Sequence, residues 1–185
     1  MEPLKMDMAK FENWLSWKNK LGRLTWIIVS LFLFKPFIIR QLNPWRIFIL
    51  RRFGANIHPK ATVYASVKIW APWNLTMDAY SCLGPRVNCY NTGHIYIGQS
   101  TIISHGVFLC PGSHDIEDSK FRMIPSDMYI EDQVWIATEA FIGPKVRIGQ
   151  GAVVGARACV FHDVEPWAVV GGNPAKFIKK REIKY

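Results

Sequence analysis

One histidine of this chain stands in a short segment whose residue types are typical of acid–base chemistry. His114 follows Pro111, Gly112 and Ser113 and directly precedes Asp115. Histidine ordinarily titrates near pH 6.5, so much of it is neutral and able to accept a proton at the pH of a cell. A carboxylate or a backbone carbonyl can keep one ring nitrogen protonated and leave the other free. The segment therefore predicts a general base at His114, oriented by Asp115 or by a carbonyl group.

The elements that position this histidine are indicated by a period of six residues. Between residues 130 and 160 an aliphatic residue falls at every sixth position, and a small or medium apolar residue stands two positions before each one. Neither an α-helix nor an alternating strand has this period, whereas a solenoid whose flat faces each consume six residues does. The sequence therefore predicts an all-β solenoid. The aliphatic positions are Ile130, Ile136, Ile142, Ile148, Val154 and Val160.

The same spacing extends toward the N-terminus, with one slip and one large interruption. The slip lies between Val87 and Ile97, and the interruption separates Leu109 from Ile130 and contains His114. A solenoid projects its insertions sideways while its coils close up beneath them. We therefore expect an inserted functional loop at about residues 111–128. The earlier positions in the predicted register are Ile57, Val63, Ile69, Leu75, Ser81, Val87, Ile97, Ile103 and Leu109.

Charge and cysteine content restrict the class of partner and the compartment. The formal net charge is +9, but the basic residues are spread over three regions and no helix-turn-helix, finger or RNA-binding signature accompanies them, so we expect no nucleic acid. Phosphorylated small molecules or an anionic membrane surface explain the charge better. The sequence has no C-x-x-C pair and no evident cleavable signal, which favours a reducing cytoplasm. The cysteines are Cys82, Cys89, Cys110 and Cys159.

Residues 1–53 follow a different period and predict a helical extension. Apolar residues at steps of three and four indicate an amphipathic helix that Lys35-Pro36 ends, and Asn43-Pro44 indicates the cap and first turn of a second helix that ends at Arg51-Arg52. The apolar stretch is too short to span a bilayer. Two roles stay open for this extension: packing on the solenoid or a neighbouring subunit, and shallow docking on an anionic membrane. The apolar positions are Trp14, Trp17, Leu21, Leu24, Ile28 and Leu31.

Together these residues resemble a known family, the hexapeptide-repeat acyltransferases. The resemblance is to the sugar O-acetyltransferases of the maltose, galactoside and colanic-acid type, with the colanic-acid branch nearest. It covers roughly residues 53–178. It rests on the repeats, the Leu-Cys-Pro-Gly-Ser-His-Asp loop entry at 109–115, Val-Trp-Ile-Ala at 134–137, the run at 148–156 and Gly-Gly-Asn-Pro-Ala-Lys at 171–176.

The resemblance implies a fold and an assembly. The fold is a left-handed parallel β-helix of hexapeptide repeats with an N-terminal amphipathic helical segment and a short C-terminal helix. It divides the chain into a helical extension at 1–53, an acetyltransferase domain at 54–170 and a basic C-terminal helix at 171–185. The family assembles as a homotrimer with active sites in the clefts between neighbouring prisms.

The resemblance also implies an activity. The donor is acetyl-CoA, the acceptor is a sugar hydroxyl in surface polysaccharide biosynthesis, and His114 removes the hydroxyl proton in a direct transfer without an acyl-enzyme intermediate. We expect no bound metal. Polysaccharides are assembled on lipid carriers at the cytoplasmic membrane face, so a cytoplasmic protein with a peripheral contact at the inner face of the membrane is expected.

Further site residues follow from the same resemblance. For the coenzyme, Phe161-His162 stand where the family commonly has Thr-Lys, so that Arg157, Lys176 or Arg181 becomes the candidate for the phosphate contact. The full set of candidate coenzyme residues is Trp135, Ala137, Thr138, Ala156, Arg157, Phe161, His162 and Lys176. The candidate acceptor residues are Asn88, Tyr90 and Asn91.

Three other readings stay open at this point. The acceptor is an antibiotic or an amino sugar in the first, and the chain is a non-catalytic, membrane-associated scaffold in the second. The third is a metal enzyme of the carbonic-anhydrase type on the same fold, which requires three histidine ligands. The available histidines are His94, His105 and His114, but their spacing does not resemble that arrangement.

Overall fold

The computed structural model describes residues 15–184, and in this range the chain winds into a parallel β-helix with three flat faces. Short strands from successive coils pair in parallel on each face, as the six-residue period predicts. Face A holds β1 (Asn56–Ile57), β4 (Leu75–Met77), β7 (Ile95–Ile97), β12 (Met128–Ile130) and β15 (Arg147–Ile148). Face B holds β2 (Thr62–Val63), β5 (Cys82–Leu83), β8 (Ile102–Ile103), β13 (Trp135–Ile136), β16 (Val153–Val154) and β18 (Ala168–Gly171). Face C holds β3 (Lys68–Ile69), β6 (Asn88–Cys89), β9 (Phe108–Leu109), β14 (Phe141–Ile142) and β17 (Cys159–Val160).

The core is a column of aliphatic side chains, one from each face of each coil. All six positions of the repeat between Ile130 and Val160 are buried, with at most 2 % of each side chain exposed. Complete burial of one such side chain stabilises the fold by about 1.5–3 kcal/mol. The predicted register of this half of the chain is confirmed.

The register predicted for the second coil was wrong by two residues. Met77, Leu83 and Cys89 lie directly above Ile57, Val63 and Ile69, respectively, where the six-residue count had placed Leu75, Ser81 and Val87. The three predicted residues are also buried, at the positions two residues before the inner ones. The cause is the corner between Ile69 and Met77, which spans eight positions in place of the regular six and includes a 3-10 turn at Pro72–Asn74.

This corner, between faces C and A, carries every departure from the six-residue period in the first half of the solenoid. In the next coil the step from Cys89 to Ile97 is again eight positions, and in the coil above the corner opens into the loop between β9 and β12. Asn91 fixes the stacking of the first two corners. Its fully buried side-chain oxygen accepts from the amides of Trp70 and Ala71, and its nitrogen donates to the carbonyls of Ala71 and Asn74.

The predicted N-terminal helix exists, but its packing face differs from the predicted one. The helix α1 (Trp17–Val29) continues as a π-helical turn, Ser30–Phe34. The buried side chains are Trp26, Ser30 and Phe34, and the Trp26 indole donates to the carbonyl of Ile69 over 2.7 Å. The apolar residues that the sequence predicted to form the packing face are instead exposed to solvent. More than half of each side chain is exposed at Trp17, Leu21, Leu24, Ile28 and Leu31. Trp14 lies outside the described residues.

The second helix joins the extension to the solenoid. After a 3-10 turn (Arg40–Leu42), α2 runs over Asn43–Arg52, as the sequence predicts. Asn43 does not cap it. Its side-chain amide instead donates to the carbonyl of Ala61 and its oxygen accepts from the amide of Val63. The buried Arg46 likewise donates to the carbonyls of Val63, Phe37 and Ile39. Polar side chains of α2 therefore satisfy backbone groups at the start of the solenoid.

The predicted C-terminal helix was wrong, because this segment is a strand. β19 (Lys176–Lys180) pairs antiparallel with β18 and extends face B by one strand. The turn between them contains Gly172 with φ +94°, a conformation that favours glycine. An isolated ten-residue helix is marginal in water, whereas the open edge of β18 offers backbone partners to an extended chain. No helix among the described residues is long and apolar enough to cross a membrane.

Candidate active site

The loop that carries His114 is an antiparallel hairpin standing on the corner between faces C and A. Its strands are β10 (Gly112–His114) and β11 (Met123–Pro125), and Ser113 pairs with Ile124. The loop rests closely on the coil below: a Cβ added to Gly93 would lie 1.9 Å from the carbonyl oxygen of Ser126. Glycine at this position therefore allows the returning strand to close against the solenoid. The hairpin has a rigid base at the corner.

The orientation of the His114 ring is fixed by Phe121. The Nδ1 atom lies 2.7 Å from the carbonyl oxygen of Phe121, and the two rings stack with centroids 4.7 Å apart and planes 9° apart. A carbonyl oxygen can only accept a hydrogen bond, so Nδ1 carries the proton. The Nε2 atom of the neutral ring then has a free lone pair and can accept a proton. This tautomer is the one that a general base requires.

The acidic side chains of the loop accept hydrogen bonds from other residues of the same loop. The Asp115 carboxylate accepts from the amide of Glu117 over 3.0 Å, and it is the carbonyl of Phe121 that orients His114. Asp118 accepts from the amide of Lys120 and pairs with the guanidinium of Arg122. The hydrogen bond from Arg122 is the main reason that the pKa of Asp118 lies below its ordinary value. The sequence left the choice between Asp115 and a carbonyl open, and the geometry favours the carbonyl.

The cysteine at the root of the loop is a poor nucleophile. Cys110 is half-buried, and burial raises the pKa of its thiol above the ordinary value. Burial raises the pKa of Cys89, one coil below on face C, to about 12. Only the thiolate is strongly nucleophilic, so both groups are protonated and unreactive near neutral pH.

Several of the candidate coenzyme residues lie together on face B and at the corner between faces B and C. Trp135 is 46 % exposed on face B, and its indole donates to the hydroxyl of Ser104 over 3.0 Å. Thr138 contacts the ring of His105 with its hydroxyl, at 2.8 Å from Nε2. Directly above, Ala156 is exposed and small, which leaves the backbone of the corner accessible. The remaining candidate at this end of the face is Ala137, which is buried.

Charged side chains flank the same corner. The guanidinium of Arg157 pairs with Glu139 over 2.7 Å, and this hydrogen bond is the main cause of the lowered pKa of Glu139. Arg157 is largely exposed, so the pair is weak and its cation is available to an anionic ligand. Four of the candidates therefore form one continuous surface: Trp135, Thr138, Ala156 and Arg157.

The other three candidates for the coenzyme lie elsewhere. Phe161 and His162 are exposed at the corner between faces C and A, where the Phe161 ring packs against Phe141 with centroids 5.7 Å apart and planes tilted by 47°. Together with Phe177 they line a pocket of about 180 Å³. Lys176 is exposed at the start of β19, opposite Gly171. The structure does not bring these residues next to Thr138.

The base and the coenzyme corner are on different edges of one prism. The hairpin of His114 stands between faces C and A, whereas Thr138 and Ala156 stand between faces B and C. The whole of face C separates them within a single chain. A site that uses both must therefore be completed across two chains or by a substrate that spans the face.

The candidate acceptor residues have unequal access. Asn88 is half-buried on face C, and Tyr90 contacts Trp70 and Phe108 edge-on, with ring centroids 5.8 Å and 6.4 Å away. Both line an open pocket beside α1. Asn91 was wrong as an acceptor contact, because its amide is fully buried and committed to the backbone of the corner.

The three histidines proposed for a metal site are in three separate environments. His94 contacts Thr76 on face A, His105 contacts Thr138 at the opposite corner, and His114 contacts Phe121 in the loop. Burial lowers the pKa of His94. Among residues 15–184 no three histidine, cysteine or acidic side chains converge on a point that could hold a metal ion.

Two contacts around the candidate site have no clear sequence signal. The carbonyl that orients His114 comes from Phe121, seven residues away, and a backbone group leaves no trace in residue type. Arg23 of α1 lies over the ring of Trp70, with its guanidinium carbon 3.7 Å from the ring centroid. The aromatic residue of this pair stands in a solenoid corner and the cation in a helix, so only the tertiary structure brings them together.

Known proteins share this fold and much of this sequence. No family model matches the chain. A hexapeptide-repeat acetyltransferase of Vibrio cholerae, solved in complex with acetyl coenzyme A, superposes with a TM-score of 0.80 at 22 % identity, over 96 % of this chain and 97 % of that one. The putative colanic acid biosynthesis acetyltransferase WcaF of Escherichia coli is 39 % identical over 160 residues, 86 % of each chain. The chain belongs to the hexapeptide-repeat acetyltransferases.

A shorter part of the chain is similar to an acetyltransferase that is named for an antibiotic. A chloramphenicol acetyltransferase of Agrobacterium fabrum is 48 % identical to this hexapeptide-repeat acetyltransferase over 92 residues, which are 49 % of this chain and 43 % of the relative. The predicted family and enzyme class are thus confirmed.

Proposed function

We propose that this acetyltransferase moves the acetyl group of acetyl-CoA to a hydroxyl of a sugar that is used in surface polysaccharide biosynthesis. The acetyl donor and the acceptor class are supported by the similarity to WcaF over most of both chains. The observation that carries the mechanism is the Nδ1 hydrogen bond of His114 to the carbonyl of Phe121, which leaves Nε2 as a proton acceptor.

The transfer proceeds in one displacement. Nε2 of His114 takes the proton of the sugar hydroxyl while the hydroxyl oxygen attacks the thioester carbonyl, giving a tetrahedral oxyanion. The oxyanion collapses to the sugar ester and expels the coenzyme thiolate, which takes the proton from His114. A thioester is already activated, so proximity and base assistance are sufficient. The protonated thiol of Cys110 supports this route over an acyl-enzyme.

The separation of the two corners supports a homotrimer with shared sites. The hairpin of one chain would reach the corner with Thr138 and Ala156 on its neighbour, so each site takes its base from one chain and its coenzyme track from the next. In a cyclic trimer each chain contacts the next through two different surface patches, and three such contacts close the ring.

The coenzyme fits the exposed part of this corner. The narrow pantetheine arm would run past the small side chain of Ala156 and the hydroxyl of Thr138, beside Trp135. The exposed guanidinium of Arg157 is placed to meet a phosphate group, and Lys176 lies toward the end of face B. Phe161, His162 and Asp115 have no part in this arrangement.

For the acceptor, Tyr90 and Asn88 are the available side chains. The aromatic ring offers a face for a sugar and the amide offers hydrogen bonds. A second candidate acceptor is an antibiotic, which the partial similarity to a chloramphenicol acetyltransferase favours. The similarity to WcaF covers 86 % of this chain, against 49 % for the chloramphenicol acetyltransferase, and this supports the sugar.

The working place of the enzyme is proposed to be the inner face of the membrane, with a peripheral contact through the N-terminal helices. Lipid-linked sugars are assembled there. The apolar stripe of α1 that stays exposed supports such a contact.

The acceptor class is tested by following thiol release from acetyl-CoA across a panel of nucleotide sugars, lipid-linked saccharides and chloramphenicol. We expect acceptor-dependent release with a saccharide and none with chloramphenicol. Release with chloramphenicol alone would support the antibiotic function, and no release with any acceptor would support a non-catalytic scaffold.

A further inference from the structure

An open pocket of about 340 Å³ lies between α1 with its π-helical turn and face C of the first two coils. One wall is apolar and is formed by Trp26, Ile27, Leu31 and Phe34 of the helix. The opposite wall is formed by solenoid residues, among them Trp70. The pocket is therefore apolar on the helix side and accepts a ligand with an apolar part.

The rim of the pocket is cationic. Arg23, Lys35 and Lys68 line it, and Lys35 and Lys68 are exposed. The sequence from residue 15 to residue 77 contains no aspartate or glutamate, so no carboxylate of this region offsets these charges. A cationic rim beside an apolar wall is complementary to an anion that is attached to an apolar chain.

Arg23 is held ready for such an anion. Its guanidinium is fixed over the ring of Trp70 at 3.7 Å, and its Nε atom is buried without a hydrogen-bond partner among the described residues. Burial lowers the pKa of this guanidinium, but arginine stays charged at any pH of a cell. A buried N–H donor without an acceptor is costly. The Arg23 side chain also lines the pocket, where a phosphate oxygen would accept from its guanidinium.

The outer surface of the same helix is apolar. Leu24, Ile28 and Phe32 are each more than half exposed, and Lys18 and Lys20 are exposed near the beginning of the helix. A helix that is apolar on its outer as well as its inner side is unusual on a soluble surface. Apolar residues flanked by cations are typical of a helix that lies in the interface of an anionic membrane.

We propose that α1 lies in the membrane interface and that the pocket beneath it binds the phosphate-bearing end of a membrane lipid. The phosphate meets Arg23, Lys35 and Lys68, and the lipid chain passes along the apolar wall into the bilayer. The basic and apolar features of the N-terminal region then serve one ligand.

The pocket also lies on the acceptor side of the loop. Above Trp70, Tyr90 contacts Phe108 of the coil that leads into the hairpin of His114, and the amide of Tyr90 donates to the carbonyl of Leu109. A saccharide attached to the bound phosphate would lie along these rings toward the base. This step alone rests on the proposed acetyl transfer to a sugar.

The test is flotation of the full-length protein with vesicles of phosphatidylcholine, with and without phosphatidic acid. We expect binding only when phosphatidic acid is present. Arg23→Gln and Lys68→Gln should each weaken binding about fivefold, the effect of one basic residue at an anionic surface. Lys179→Gln, which removes an exposed charge of β19, is the matched control. The exposed position of Lys68 makes its substitution harmless to folding, so a loss there does not reflect an unfolded chain.

Three results would overturn the proposal. The first is an equal loss with Lys179→Gln, which would indicate attraction by net charge alone. The second is equal binding by Arg23→Gln, Lys68→Gln and the unaltered protein. The third is absence of vesicle binding by the unaltered protein. A smaller assembly of the double variant Leu24→Asp/Phe32→Asp in sedimentation would then make this helix face a contact between copies. His114→Ala should bind vesicles like the unaltered protein, so failure of the catalytic proposal is measured separately.

Discussion

At His114 a single hydrogen bond decides which ring atom is basic. The carbonyl of Phe121 holds the proton on Nδ1, and the stacked Phe121 ring restricts rotation of the imidazole. Side-chain or backbone partners that orient a histidine in this way are common in enzymes. Asp115, although adjacent in sequence, accepts instead from the amide of Glu117.

This geometry predicts a small effect for Asp115→Asn. The asparagine keeps an oxygen for the amide of Glu117, and the orienting carbonyl is unaffected, so kcat should stay within about threefold of the unaltered enzyme. Steady-state kinetics with a saccharide acceptor measure it. A loss of about a hundredfold, in the range of general-base effects, would mean that Asp115 acts on His114 after all.

At the scale of the elements, the corner between faces C and A determines where the loop can form. Extra residues at 70–74 and 90–94 precede the large insertion at the same corner, and Asn91 ties the two lower corners together through four hydrogen bonds to backbone groups. The base of the hairpin thus depends on one buried side-chain amide that joins two coils.

Replacing Asn91 by alanine should therefore destabilise the protein. Several buried backbone groups lose their partner at about 0.5–1.5 kcal/mol each, so we expect the free energy of unfolding to fall by about 2–4 kcal/mol. Urea denaturation measures the change. Asn88→Ala, at a half-buried position on face C, is the control and should change the free energy of unfolding by less than about 1 kcal/mol. Equal stability of Asn91→Ala and the unaltered protein would remove the structural role assigned to this amide.

The elements also show what residue patterns can predict here. The aliphatic period between Ile130 and Val160 predicts the coils correctly, because each face demands one buried residue at a fixed step. The period gives the wrong register at Leu75, because Leu75 and the inner residue two positions later are both apolar and buried. The C-terminal segment was predicted as a helix, and the open edge of β18 makes it a strand. The loop and its histidine were predictable from the interruption, whereas the Phe121 carbonyl and the Arg23–Trp70 pair depend on tertiary contacts.

At the scale of the whole molecule, the two corners of the prism require a second chain or a substrate that crosses face C. The shared-site trimer makes a specific prediction for mixed assemblies. His114→Ala removes the base, and Ala156→Trp blocks the proposed coenzyme corner, so each variant alone should be inactive.

Co-expression of the two variants should restore activity. In every trimer that contains both variants, one site, about a third of the total, combines an intact base from one chain with an intact corner from the next. Thiol release per site, measured on mixed trimers isolated with two different tags, should reach about that fraction of the unaltered enzyme. Activity no greater than that of the separate variants would indicate that each site is built by one chain.

The central claim is that Nε2 of His114 accepts the proton of the acceptor hydroxyl, and one comparison tests it most directly. Acceptor-dependent thiol release from acetyl-CoA is measured for the unaltered enzyme, for His114→Ala and for His58→Ala, whose exposed ring contacts only the amide of Lys60 among the described hydrogen bonds. We predict that His114→Ala lowers kcat by about two to four powers of ten, that the KM for acetyl-CoA changes little, and that His58→Ala is unaffected. An equal kcat for His114→Ala and the unaltered enzyme would contradict the mechanism.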